Sequence, residues 1–218
     1  MPDQLRAEAS VDGPHSRSIP ARFVQSDAAP VCVLVGGLFR DNADGDGGPV
    51  QLLVAPGIWR ELDPVFLPML LFLRAPRTRI EATEWLAWAG APADALDDLL
   101  NTGLAVQVAT KTPAEAIRSF AGITVIPQSM PGDPVTDDPD LIRVRQTPDT
   151  ADSYVIPIEL ERVLWGLREP ADLPSAVAQL ALETGADLDV IARRVLTTIP
   201  ALLSRGLVRL EWLRAPGF

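Results

Sequence analysis

Hydrophobic and polar positions change period along the chain, and each change marks an element. Val31-Cys32-Val33-Leu34-Val35 is an unbroken β-branched and apolar run, the pattern of a strand buried on both faces. A dense turn signal follows from Asp41 to Pro49, and Val50-Gln51-Leu52-Leu53-Val54 then reads as the returning strand of a hairpin with a long loop. From Asp63-Pro64 the spacing becomes helical, with Val65, Phe66, Met69, Leu70 and Leu73 on one face. Pro68 lies inside this stretch, where a lost hydrogen bond predicts a kink. Thr78-Arg79-Ile80-Glu81 is a capping box that opens a second helix through Trp88, closed by Gly90. Pro92 opens a third, with Leu96, Leu99 and Leu100 inward; Gly103 ends it, and Leu104 to Val108 is a strand.

The second half follows a similar order. Thr112-Pro113-Ala114-Glu115 caps a short helix to about Phe120, and Ile123 to Ile126 is a strand. Pro127 to Pro139 is rich in Pro, Gly and Asp and reads as a loop. Leu141 to Arg145 alternates as a half-buried strand, and Tyr154-Val155-Ile156 is another. Three helices are expected next: Ile158 to Leu167, Asp172 to Gly185, and Asp187 to Ser204 with a bend at Pro200. Leu207 to Leu213 is the last strand.

One phrase occurs twice. Leu99-Leu100-Asn101-Thr102-Gly103-Leu104 and Leu202-Leu203-Ser204-Arg205-Gly206-Leu207 each join a helix end to a strand through a glycine, which takes a left-handed conformation without a Cβ penalty. The chain therefore reads as a tandem repeat of α+β class: two modules, each a β-hairpin, three helices and a closing strand. The first spans 30–110 and the second 123–218; 111–122 is a linker helix, and 1–29, which lacks any sustained period, is a loose arm.

This element order resembles the winged-helix fold. It is also similar to the leader-peptide recognition domains of ribosomal-peptide maturation systems and to the tandem winged-helix subunits of bacterial chromosome-condensation complexes. The first of these likenesses implies that an extended peptide adds as a strand beside Val50–Val54, at Gln51 and Leu53, and packs on Pro92–Asn101, where Asp94, Asp97 and Asp98 lie.

Charge narrows the choice of partner. The formal net charge is −10, and acids outnumber bases in both halves. Such a chain repels phosphate backbones and anionic membranes unless a strong local basic patch intervenes. Lys111 is the only lysine beside 18 arginines, the mark of a GC-rich coding bias of the bacterial kind. The longest plain apolar run, Val65 to Leu73, is too short to span a bilayer, and no basic region with an apolar core opens the chain, so the expected location is the cytoplasm.

Candidate chemistry is sparse. Cys32 is the only cysteine and lies mid-strand, and His15 is the only histidine and lies in the arm, so no disulfide, zinc cluster or Ser-His-Asp arrangement is expected. No cofactor motif is found. Asn42, Asp44, Asp46 and Gly47 match the opening of a calcium loop, but Leu53 occupies the twelfth position, where a bidentate glutamate is required. A plain acidic turn over 41–48 is the simpler reading. Trp85 and Trp88 lie three apart on one helix and face one side, as core residues or as a partner surface.

Asp94, Asp97 and Asp98 on the third helix of the first module oppose DNA, whereas Arg193, Arg194, Arg205 and Arg209 form a candidate basic stripe in the second. The expectation is a non-enzymatic adaptor that binds protein or peptide, leaving a homodimer open. The alternative is a DNA-binding transcriptional regulator using the C-terminal module. An enzyme working through carboxylates alone ranks third.

Overall fold

In the computed structural model of the chain, residues 23, 30–39, 50–109, 112–145, 153–165 and 171–215 are described. All of the N-terminal arm except Phe23, and the acidic turn 41–48, lie outside them. Strand β1 (Val31–Leu34) is buried at every residue. It runs antiparallel to β5 (Arg77–Thr78) on one side and β6 (Ala105–Val108) on the other, giving the sheet order β5-β1-β6. Successive side chains of a strand point to opposite faces. Here Cys32 and Leu34 enter one hydrophobic core, while Val31, Val33 and Val35 enter another.

The hairpin expected between 31–35 and 50–54 does not form. Val50 begins a different sheet, of β2 (Gly37–Phe39), β3 (Val50–Ala55) and β4 (Ile58–Leu62), in the order β2-β3-β4. Strand β4 is additional to the elements the sequence pattern predicts. Pro56-Gly57 supplies the tight turn before it, with Gly57 at φ 73° as the second central position demands. Helix α1 (Leu67–Leu73) starts after a 3-10 turn at Pro64–Phe66. The late start places Pro68 in the first helical turn, where its missing N–H is not needed, so the expected cause of a kink is removed. Helix α2 (Arg79–Ala89) has its capping box: Thr78 N–H donates to the Glu81 carboxylate at 2.8 Å, and Glu81 N–H to the Thr78 hydroxyl at 3.2 Å. Helix α3 (Ala95–Asn101) packs on α2 and β6.

The second half follows a similar path without a counterpart of β5. After α4 (Pro113–Arg118), β7 (Ile123–Pro127) leads into β8 (Met130–Val135), β9 (Asp138–Arg145) and β10 (Ser153–Pro157), in the order β10-β9-β8. The stretch read as a loop over 127–139 thus contains a strand. Pro131 and Pro134 are tolerated because β8 is an outer strand of its sheet. Helices α5 (Glu159–Trp165), α6 (Leu173–Thr184) and α7 (Leu188–Ser204) follow, the last continuous through Pro200. Strand β11 (Val208–Trp212) then returns antiparallel to β7, as β6 returns to β1.

The two copies share their hydrogen bonds as well as their order. Leu104 N–H donates to the Leu99 carbonyl at 2.9 Å, and Leu207 N–H to the Leu202 carbonyl at 2.9 Å. Gly103 and Gly206, at φ 67° and 66°, bond back to Leu100 and Leu203. These are Schellman closures. Val35 N–H then donates to the Leu104 carbonyl and Gln128 N–H to the Leu207 carbonyl, at 2.9 and 2.8 Å, which sets the first strand of each copy against the last.

The copies are joined through their sheets. The larger core gathers the β1 valines, Val108, α4 and the helices and strands of the second copy, together with Phe23, whose ring packs edge-on against Phe120. Strand β11 also lies against β2 and β3, and the Gly36 N–H donates to the Leu210 carbonyl at 2.6 Å.

Candidate functional site

Gln51 and Leu53 cannot receive an added strand. Gln51 lies between Phe39 of β2 and Glu61 of β4, and Leu53 between Gly37 and Trp59, because β3 is the middle strand of its sheet. The terminal strand is β4, which carries Ile58 and Trp59, the latter 47 % exposed. Its signal in the sequence was the Pro-Gly pair followed by Ile58-Trp59-Arg60-Glu61-Leu62, strand-forming at its start. In the second copy β10 holds the matching position, with Val155 exposed on it and Ile158 exposed just after it.

Trp85 and Trp88 do not share an environment. Trp85 is 2 % exposed and stacks on Phe72, ring centroids 4.9 Å apart and 12° from coplanar. Trp88 is 55 % exposed, its ring 5.9 Å from that of Trp85. Three residues of helix turn the second ring away from the core line of Ala82, Trp85 and Leu86 to its border.

The acids of α3 face solvent. Asp97 is ion-paired with Arg79, whose guanidinium also donates to Gln107 at 3.3 Å, so one of the three carboxylates is matched from the neighbouring helix. Asp94 and Asp98 are exposed.

The candidate basic stripe is largely engaged within the protein. Arg194 pairs with Glu159 of α5. The Arg205 guanidinium sits over the Tyr154 ring, 4.8 Å from its centroid. Arg209 pairs with Glu211, which is 3 % exposed. Only Arg193 of the four is exposed without such a contact among the described residues. A buried acid on the final strand was not visible from the sequence, since Arg209 and Glu211 are simply alternate residues there.

Four titrating groups are displaced by their surroundings, Cys32, Arg77, Asp172 and Glu183, and the first and third bear on the fold. Burial pushes the Cys32 thiol up to about 11; Arg79 counters this slightly and Asp97 adds to it. Such a thiol is a core atom and a poor nucleophile at neutral pH. Burial also raises the Asp172 carboxyl, but hydrogen bonds from the Gly122 N–H at 2.9 Å and from Ser175 outweigh it and hold the group below the usual carboxylate range. Asp172 is the N-cap of α6, so one carboxylate ties that helix to the start of β7. Among the described residues no three His, Cys, Asp or Glu side chains converge as a metal site, and no helix is long and apolar enough to cross a membrane. Comparison with protein-family models, with curated proteins and with solved structures returns no match.

Proposed function

We propose that the protein is a non-enzymatic adaptor whose two winged-helix-like units bind an extended segment of another protein or peptide. The supporting observation is a repeated one. In each copy a three-stranded antiparallel sheet ends in a strand that leads straight to a helix and bears exposed apolar side chains, Ile58 and Trp59 on β4 and Val155 on β10. A terminal strand is where a further strand can be added, and pockets for alternate side chains then give specificity. The α1–α3 triplet with its β5-β1-β6 sheet is the part of the first unit that most resembles a winged helix.

The test is hydrogen–deuterium exchange on the full chain, with and without the polypeptide that it retains from its host. Slowed exchange over 58–62 or 153–157, together with loss of retention in Trp59→Glu or Val155→Glu, is the expected result. Unchanged exchange at both strands overturns the reading.

DNA binding through Arg193 and its neighbours is the second reading, favoured only by the exposed position of Arg193 on α7. A gel shift with random duplex DNA, weakening steeply with salt, would put it first.

A further inference from the structure

We propose that the cavity at the seam of the two halves binds a small carboxylate. The cavity has a volume of about 180 Å³. Leu34 of β1 and Val208 and Leu210 of β11 border it with their side chains buried in the cores, and Arg74, Gln128 and Arg209 line it with polar groups. It exists because two chain reversals meet there: the corner between β1 and β2, fastened by the Gly36–Leu210 hydrogen bond, and the corner between α7 and β11.

The charges select the ligand. Arg209 is matched by Glu211. Arg74, at the end of α1, has no carboxylate partner among the described residues, although the chain carries a net charge of −10. Among the described residues the seam therefore keeps one positive charge, which a monoanion matches, which a phosphate dianion overshoots beside Glu211, and which repels a cation. A guanidinium binds a carboxylate through charge-assisted hydrogen bonds. At about 180 Å³ the cavity is smaller than most ligand pockets, which run from roughly 300 to 1,000 Å³, so it suits a short acid and not a nucleotide.

Two sources offer this chemistry: a free short-chain acid, or the C-terminal residue of a polypeptide. This site lies apart from the β4 and β10 edges, and its existence does not rest on the strand-addition reading.

The test is an NMR titration of the full chain with isovalerate, with isovaleramide, and with a short peptide ending in valine, as the free acid and as the amide. Saturable shifts at Leu34, Gln128 and Leu210 are expected with a carboxylate and not with either amide. Response to isovalerate alone identifies a free acid as the ligand; response to the peptide acid as well identifies a chain terminus. Arg74→Gln, an exposed change whose fold is checked by the same spectra, is expected to weaken binding by about tenfold or more, and Arg74→Lys by less. No saturable shift with either acid, equal binding of the amides, or undiminished binding by Arg74→Gln overturns the proposal.

Discussion

Trp212, near the end of the second copy, donates its indole N–H to the carbonyl of Gly103, the glycine that closes α3 of the first copy, at 2.7 Å. The acceptor belongs to the repeated phrase itself, so the device that ends a helix in one copy is also a fastening point for the other. Trp212→Phe removes the donor together with part of the indole packing. The expected loss is about 1–3 kcal/mol, because the carbonyl is left part-buried without its partner. Urea denaturation followed by far-UV dichroism measures it. The variant is expected to unfold in one transition, as a shared core requires.

Gly36 is fixed by conformation and by space. It has φ 127°, and a Cβ there would lie 2.9 Å from both Leu52 Cγ and the Leu53 carbonyl oxygen. Gly57, at φ 73°, has nothing within 4 Å of the same position. Gly57→Ala therefore carries only the left-handed penalty, about 1–2 kcal/mol. Gly36→Ala adds a clash with backbone and is expected to cost clearly more. Equal midpoints for the two variants in denaturant would contradict this account of the seam.

Asp172 gives the fold a pH dependence of known sign. Its carboxyl is held below the usual range in the folded chain, so its contribution is complete above the unfolded value near 3.8 and is lost as pH falls through the lower folded value. Wild type is expected to lose stability more steeply than Asp172→Asn below about pH 4. At neutral pH Asp172→Ala is expected to cost about 0.5–2 kcal/mol as a lost helix cap. Thermal melts between pH 3 and 7 compare the three proteins.

Cys32 is expected to be silent toward thiol reagents. With a thiol pushed up to about 11 and a fully buried side chain, the native chain should not be alkylated at pH 8 over hours. In denaturant one equivalent should react at once. Rapid native labelling would mean that β1 opens far more often than its central place implies.

The tryptophan pair separates packing from surface. Trp85→Ala removes a ring from the core and is expected to cost about 3–5 kcal/mol. Trp88→Ala should leave the melting curve nearly unchanged, and any partner that uses this face should bind it more weakly.

Local chemistry was the legible part of this sequence. The capping pairs Thr78–Glu81 and Thr112–Glu115, the N-caps Asp172 and Asp187, and the closures at Gly103 and Gly206 all act within a few residues, and each is found where the sequence places it. Strand pairing was not legible, because β1 and β3 are equally apolar and nothing local states which neighbour each will take. β1 instead pairs with segments more than forty residues away. Prolines hid β8, since on an outer strand they cost little. The arginines were read as one stripe although their partners, Glu159, Tyr154 and Glu211, come from three different elements. The doubled phrase was legible for the same reason as the caps: its hydrogen bonds, Leu104 to Leu99 and Leu207 to Leu202, close within six residues whichever strands pair.

The two-sided burial of β1 bears on how such a chain could be divided. Severing it between the copies would bare Val31, Val33 and Val108 along one side of the N-terminal half and uncover the mating surface on the other. Each half would present a greasy strip to water and would seek its counterpart or clump. The two halves are thus indivisible: a gene fragment encoding either one alone would yield an aggregate, and coexpression of both fragments would be the way to recover the fold.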